Sequence, residues 1–372
     1  MPQQAATQQL LHWYRKHKRA LPWRETNQPY AIWISETMLQ QTQVSRVIGY
    51  YQAWMRQLPT VQALAASSLD NVFRIWEGLG YYSRARNLHL AAQTIVNDLQ
   101  GHFPDNAHDL RALPGIGPYT SAAIASIAFR EPVAAVDANV KRVMSRLHDL
   151  PYSVDTPAAF TEIEHLANTW LPKESPGDFN QAMMELGALI CLPRRPDCPK
   201  CPLHSNCQAL AQGRVTERPI RKKKPKTVQV QMATGIALYQ GKIFLQKRLQ
   251  NDVWGGLWEF PGGAIEKGEP PQQAVVREFM EETGFAVNAR QLLTTVKHTY
   301  THHLITLHAF WCEFTQPPTV PVLTEAQDFT WAEPEELAKY AFSAGHRAVI
   351  QWITEHKLWD ILQGKNTALT SG

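Results

Sequence analysis

The chain has 372 residues, enough for two or three domains, and its 44% hydrophobic and 19% charged residues can bury a core, which excludes an intrinsically disordered protein. It contains no run approaching 18 uninterrupted apolar residues, and its N-terminus lacks the basic region, apolar core and cleavage site of a secretory signal. The net charge of +4 is unevenly spread: 19 basic residues face 17 acidic ones over 1–212, seven face one over 213–230, and 11 face 15 over 231–372.

Residues 1–212 read as almost all helical. From Glu36 to Met55 the apolar positions Met38, Val44, Val47, Ile48, Tyr51, Trp54 and Met55 recur at helical spacing behind a Ser35 cap, which predicts one helix. Similar patterns predict helices at 71–76, 86–99, 119–129, 139–147, 158–170 and 179–189, with Pro or Gly in most connections. The tryptophans at 13, 23, 33, 54 and 76, with Tyr82, read as packing residues. Residues 213–230 are polar, Pro-interrupted and basic, and read as an interdomain linker able to neutralise several phosphates or to serve only as a spacer. Beyond them the pattern changes. Strands are expected at 228–239, 242–247, 291–296 and 305–314, and helices at 271–283 and 343–355, an α+β block. The expected division is a helical domain over 1–212, the linker over 213–230, the α+β domain over 231–356 and a tail over 357–372.

Cys191-x6-Cys198-x2-Cys201-x5-Cys207 places four thiols within 17 residues. In a chain without a signal this argues against disulfides and for a metal centre, either zinc held by four sulfurs or a [4Fe–4S] cluster. Arg194, Arg195 and Lys200 stand between these cysteines, within reach of a phosphate backbone. Cys312 reads as a core residue. Leu113-Pro114-Gly115-Ile116-Gly117-Pro118 is a Gly-rich turn before an apolar helix, whose free N–H groups suit a phosphate oxygen. No following Lys makes it a nucleotide P-loop.

Leu-Pro-Gly-Ile-Gly resembles the hairpin of the helix-hairpin-helix DNA glycosylases. In that superfamily an essential Asp follows about twenty residues later, and Val136-Asp137-Ala138-Asn139 supplies it. The cysteine spacing resembles the iron–sulfur loop of the endonuclease III branch. Leu21-Pro22-Trp23-Arg24, Ser35-Glu36-Thr37-Met38-Leu39-Gln40-Gln41-Thr42-Gln43 and Gly78-Leu79-Gly80-Tyr81-Tyr82-Ser83-Arg84 resemble adenine DNA glycosylases of the MutY type. The resemblance implies an all-α helix-hairpin-helix domain with a [4Fe–4S] loop. It also implies a soluble, cytoplasmic, nucleoid-associated monomer of bacterial type, acting on double-stranded DNA with A:8-oxoguanine or A:G mispairs and having no membrane partner.

By the same resemblance Glu36 is the acid that protonates adenine, and Asp137 is the carboxylate that stabilises the positive sugar and assists water. Tyr119 and Asn139 support them, and Arg24 positions the carboxyl and base. Without the family, Glu36 reads as a surface helix residue and Asp137 as a helix cap. Lyases of the branch carry Lys where Tyr119 stands, so hydrolysis without a Schiff base is expected; Lys141 does not hold that position. Gln41 and Tyr81 match residues that wedge into the duplex around an extruded base, with Thr42 and Leu79 beside them and Gly115 and Gly117 on the phosphate.

Gly263-x5-Glu269-x7-Arg277-Glu278-x2-Glu281-Glu282-x-Gly284 fits the Nudix box. Glu278, Glu281 and Glu282 share a helix face, where like charges repel unless a cation lies between them, and Mg2+ is the expected one. The resemblance implies an 8-oxoguanine-reading domain, with Thr301 of His298-Thr299-Tyr300-Thr301-His302 where the family has a lesion-touching hydroxyl. Two alternatives stay open: an endonuclease III-like glycosylase/lyase, and an added nucleoside-triphosphate pyrophosphohydrolase activity.

Overall fold

The structure is a computed structural model that describes residues 3–223 and 225–363. The chain divides into two compact units, Met1–Ser67 with Ser83–Lys224, and Ser68–Tyr82 with Pro225–Gly372. The helices in chain order are α1 (Gln3–His17), α2 (Pro29–Leu39), α3 (Val44–Gln57), α4 (Val61–Ala66), α5 (Leu69–Trp76), α6 (Ser83–Asn97), α7 (Ala107–Leu110), α8 (Pro118–Ala128), α9 (Ala138–Leu147), α10 (Pro157–Trp170), α11 (Pro176–Leu189) and α12 (Gln208–Ala211). All but α5 lie in the first unit.

The first unit is helical throughout. Ala6, Leu10 and Tyr14 of α1 pack with Val143 and Met144 of α9, Ile163 of α10, and Met183 and Leu186 of α11 in one core. Removing such side chains from water contributes about 1.5–3 kcal/mol each. The helix expected from 36 to 55 is instead two. α2 ends at Leu39 and α3 begins at Val44, because Gln41 takes a left-handed backbone at φ 57° and breaks the hydrogen-bond ladder. Ser35 lies inside α2, its hydroxyl donating to the Ile32 carbonyl at 2.9 Å, and does not cap it.

In the second unit, strands β1 (Val228–Tyr239), β2 (Lys242–Arg248), β3 (Trp258–Glu259) and β4 (Gly262–Ala264) precede α13 (Pro271–Thr283). Strands β5 (Val287–Tyr300), β6 (His303–Phe314) and β7 (Ala326–Ala332) follow, then α14 (Ala344–Glu355) and α15 (Trp359–Leu362). The sheet runs β3-β2-β1-β6-β5, with β4 also pairing β1 and β7 pairing β2. β1 and β6 are parallel, and the other pairs are antiparallel. The two-residue period of a strand sends Ile236, Ile243 and Leu245 into a core with Phe342, Val349 and Ile353. Ala233, Ala237 and Phe244 join a separate core with Ala274, Val275, Phe279 and Cys312. Cys312 is fully buried there. The expected tail contains α15, whose Leu362 is buried; its residues 364–372 lie outside the described ones.

The basic stretch is tied down at its start. Arg214 and Arg218 pair with Asp149 at 3.1 and 2.9 Å, the Ile220 carbonyl accepts from the Val154 N–H at 3.0 Å, and the Lys222 N–H donates to Asp155 at 2.9 Å. Arg221, Lys222 and Lys223 are exposed.

The iron–sulfur loop expected over 191–207 is not supported. Among the described residues no three His, Cys, Asp or Glu side chains come together to hold a metal ion. Cys191, Cys198, Cys201 and Cys207 are free thiols around a small cavity of about 30 Å3. Arg146 donates to Cys191 Sγ at 3.3 Å, and Cys207 Sγ donates to the Arg146 carbonyl at 3.4 Å. Burial pushes the Cys198 and Cys207 thiols up and Cys201 to about 12. As placed, the four thiols form no metal-holding group, and Cys191, Cys201 and Cys207 pack against the core that includes Val143 and Met144 of α9.

Candidate active site

Within the first unit, α2, the break after it, the turn before α8 and the start of α9 converge on one cavity of about 820 Å3. Arg24, Glu36, Gln41, Thr42, Gly115, Gly117, Tyr119, Asp137 and Asn139 all line it. Nine residues expected from scattered motifs are thus brought together. Lys141 is not among the lining residues; its ammonium lies 5.0 Å from the centre of the Phe160 ring.

Glu36 is only 6% exposed, because α2 is apolar on nearly every side and carries the carboxyl inward with Ile32, Trp33 and Met38. The Tyr119 hydroxyl donates to Glu36 Oε2 and also contacts Met184 Sδ at 3.2 Å. Burial pushes the Glu36 carboxyl up to about 7, against the lowering effect of the Tyr119 hydrogen bond and aided by the Asp137 charge. Such a carboxyl holds a proton near neutral pH and can give it away.

Asp137 is the N-cap of α9 as well as a cavity residue. Its Oδ1 accepts from the Val140 N–H at 2.7 Å, and its Oδ2 accepts from Asn139 Nδ2 at 2.8 Å. Arg142 in turn donates to Asn139 Oδ1 at 2.8 Å and to the carbonyls of Gly187 and Cys191. Burial raises the Asp137 carboxyl, and the Val140 and Asn139 hydrogen bonds favour its charged form. The two carboxyls therefore differ in support: a single phenol holds Glu36, while a capped helix holds Asp137.

Two features were not read from the sequence. Glu185 on α11 is 1% exposed and accepts from Arg19 at 2.7–2.9 Å and from Arg24 at 2.8 and 3.1 Å. Burial pushes its carboxyl up, but the hydrogen bonds from both arginines overcome this and lower it to about 2. Arg24 is thus engaged by Glu185 rather than by Glu36. Arg84 of α6 donates to the carbonyls of Thr37, Met38 and Gln40 at 2.8, 3.1 and 2.7 Å, fixing the turn that carries Gln41 and Thr42. A Glu flanked by Met183 and Leu186 on a core face was the available signal for Glu185; nothing local marked Arg84.

In the hairpin, Gly115 has φ +73°, and a Cβ there would overlap Asn87. At Gly117 a Cβ would meet nothing within 4 Å. The first needs glycine for the fold, whereas the second leaves open space beside the first turn of α8.

The remaining expected residues lie in the second unit. Leu79, Tyr81 and Thr301 line a cavity of about 400 Å3 with Trp254, His298 and Tyr300. The Tyr81 and Tyr300 ring centres are 5.9 Å apart, and Trp254 meets Tyr300 edge-on at 5.4 Å. Tyr81 and Thr301 both have left-handed backbones, at φ 50° and 53°.

The Mg2+ site expected at Glu278, Glu281 and Glu282 is likewise corrected, since the described residues contain no metal-holding group. The needed cation is Arg277, which pairs at 2.9 Å with each of Glu269, Glu278 and Glu281. Glu282 is 2% exposed and accepts from Gln246 Nε2 at 2.9 Å and the Gly262 N–H at 2.8 Å. Burial and the neighbouring Glu259 raise its carboxyl, against the lowering effect of these two hydrogen bonds. Gly263 admits this packing, because a Cβ there would lie 2.6 Å from the Glu278 carboxyl.

Among the described residues no helix is long and apolar enough to cross a membrane. A family profile described as "HhH-GPD superfamily base excision DNA repair protein" matches residues 34–171, and one described as "NUDIX domain" matches 233–352. The chain is 36% identical over 407 residues to the adenine DNA glycosylase of Rattus norvegicus, covering 94% of this chain and 78% of the relative. It is 34% identical over 398 residues to that of Homo sapiens, covering 92% and 72%. The solved structure of a thermostable thymine-DNA glycosylase aligns with a TM-score of 0.53 at 29% identity, over 56% of this chain and 97% of that one. Taken with the two carboxyls that share one cavity, these relationships make the chain a member of the adenine DNA glycosylases, the hydrolases of base-excision repair that cut adenine from its sugar.

Proposed function

We propose that this protein removes adenine paired with 8-oxoguanine, and adenine paired with guanine, from double-stranded DNA by hydrolysis alone. The observation that carries the chemistry is the Glu36 carboxyl, buried, held by Tyr119 and pushed up to about 7, in the same cavity as Asp137. Adenine leaves poorly until a ring nitrogen is protonated. Glu36 supplies that proton from Oε1, since Oε2 accepts from Tyr119. As the bond to the base breaks, positive charge develops on the sugar. Asp137, held by the Val140 N–H and Asn139, covers one face of the sugar with its carboxylate; water adds from the face the base has left and gives a proton back to the ionised Glu36, completing a retaining-type hydrolysis.

Two observations support a route without a lyase step. Tyr119 fills the position a nucleophilic Lys would need, and the cavity lining contains no Lys among the described residues. The large volume, about 820 Å3, leaves room for an extruded nucleotide, and a mispaired base is the cheapest to extrude. Gln41 and Thr42, on the turn braced by Arg84, suit contact with the duplex, as do the open backbone at Gly117 and the exposed Arg194 and Arg195. In the second unit, Leu79, Tyr81 and Thr301 share one cavity and are assigned to the base opposite adenine.

The proposed functional division is a glycosylase domain over 1–212, a basic joining segment over 213–230 and a lesion-reading domain over 231–356, acting as a monomer on cytoplasmic DNA. The test is direct. Duplexes carrying A:8-oxoguanine, A:G and thymine glycol are incubated with the protein, and strand cleavage is followed with and without alkali. Release of adenine with breaks appearing only after alkali is expected. Alkali-independent cleavage at thymine glycol would refute the assignment.

A further inference from the structure

The second unit contains a segment far from the rest of it in sequence, Ser68–Tyr82, and this segment carries Leu79 and Tyr81. Its backbone is unusual. Gly78, Gly80 and Tyr81 all adopt left-handed conformations, at φ 95°, 72° and 50°. A tyrosine held there persists only where its surroundings over-determine it.

Within the loop the Trp76 indole N–H donates to the Gly80 carbonyl at 3.0 Å, and further contacts fix both ends. Before it, Arg347 of α14 donates Nε to Glu77 Oε1 at 2.6 Å and Nη2 to Glu77 Oε2 at 2.9 Å, a two-bond pairing. The same guanidinium lies over the Phe342 ring at 4.9 Å and donates to the Tyr340 carbonyl at 2.7 Å. The Phe342 N–H points to Glu77 Oε1 at 3.4 Å. After the loop, the Tyr82 hydroxyl donates to the Phe342 carbonyl at 3.0 Å. Further back, Lys247 pairs with Asp70 at 2.8 Å, and a Cβ at Gly256 would lie 3.1 Å from Phe73. Residues 340–347 thus grip the loop from Glu77 on one side and Tyr82 on the other. The pair is well shielded, with Glu77 18% and Arg347 28% exposed.

We infer that Glu77 and Arg347 are positioning residues for discrimination of the base opposite adenine, acting by holding the Leu79–Tyr81 loop against Tyr300 and Thr301. The inference rests on the assignment of Leu79, Tyr81 and Thr301 to that base. It adds residues that touch no substrate and act through the loop. The clamp governs how strongly 8-oxoguanine is preferred over guanine, while proton transfer and sugar stabilisation belong to the cavity of the first unit.

The experiment uses the full chain and single-turnover adenine release on A:8-oxoguanine and A:G duplexes, with KM-type and maximal-rate terms separated. Glu77→Gln and Arg347→Met are compared with Arg347→Lys, which keeps one ion pair, and with Tyr81→Ala. Thermal melts establish that each variant is folded. Glu77→Gln and Arg347→Met are expected to lose about tenfold or more of the preference for A:8-oxoguanine, through weaker productive binding. Their maximal rate on A:G should stay within about twofold, and Arg347→Lys should recover most of the loss. Loss of maximal rate on both duplexes alike, or equal damage from Arg347→Lys and Arg347→Met, would overturn the positioning role. If Tyr81→Ala removes the preference and the clamp variants keep it, the clamp is refuted and the reading of Tyr81 stands. If Tyr81→Ala also keeps it, that reading fails and the inference fails with it.

Discussion

Tyr119 donates its hydroxyl hydrogen to Glu36 Oε2, joining the proposed proton donor to the residue proposed to stand where a lyase would carry lysine. The phenol is partly buried beside the carboxyl, and desolvation with the charges of Glu36 and Asp137 raises its own ionisation well above the ordinary range. It therefore stays a donor throughout the working pH range. One residue thus holds Glu36 by a hydrogen bond and, in the proposed mechanism, leaves this position without an amine for a Schiff base.

Tyr119→Lys is expected to introduce lyase activity, because an amine at this position reaches the sugar carbon that a phenol cannot attack. Borohydride trapping of the variant on A:8-oxoguanine DNA should give a covalent complex, and the native protein should give little. Efficient trapping of the native protein would contradict hydrolysis as the sole route.

Asp137→Asn removes the charge facing the sugar while retaining an N-cap for α9. Adenine release should slow by about 10²–10³, with the melting temperature changed little. A variant within tenfold of native would separate Asp137 from the reaction.

Glu185→Gln leaves Arg19 and Arg24 without their carboxylate partner, and loss of one member of a buried pair costs about 3–5 kcal/mol. Arg19 is partly exposed and solvent screens it, so about 2 kcal/mol is expected. The pH dependence has a definite sign. The folded carboxyl is lowered to about 2 from its ordinary 4.5, so its contribution is present above the unfolded value and is lost as pH falls through that window. The native and variant melting curves should therefore converge in acid, and a constant difference from pH 7 to pH 3 would rule the ion pair out as the cause.

Much of this was legible in the sequence because it was carried by local pattern. The strand 228–239 and the helix 271–283 have the bounds their alternation and periodicity predict, since each has one consistent apolar spacing from end to end. The break at Gln40–Gln43 was missed because helical apolar spacing resumes from Val44; the four consecutive polar residues after Leu39 were the warning. Glu36 reads as a surface residue in isolation, and only the apolar surroundings of α2 bury it. Long-range partners were not legible at all. Nothing near Glu185 announces Arg19 and Arg24, and nothing near Glu278 separates a metal face from one already satisfied by Arg277. The cysteine spacing misled for a related reason, because spacing gives the reach of four sulfurs and not their surroundings.

The hairpin glycines should separate under substitution. Gly115→Ala meets both a left-handed backbone and the Asn87 side chain, so it should destabilise the fold by more than about 1 kcal/mol. Gly117→Ala meets nothing within 4 Å at an ordinary backbone angle and should leave the melting temperature nearly unchanged. Its effect should appear in duplex affinity, where the added methyl narrows the approach of a phosphate to the first turn of α8. Equal stability losses in the two variants would contradict this division.

The central claim is that Glu36 is the proton donor, and Glu36→Gln tests it most directly. The amide keeps the size and an acceptor for Tyr119 but has no acidic proton to give. Because the native carboxyl is raised to about 7, burial costs stability as pH rises above its unfolded value, and the variant should be more stable than native at pH 8 by on the order of 2 kcal/mol. Native single-turnover rates should fall as pH rises above about 7. The measurement is single-turnover adenine release from an A:8-oxoguanine duplex, with binding to the same duplex measured alongside. The account predicts unchanged binding and release slower by about 10³ or more; release near the native rate by a variant that still binds would contradict it.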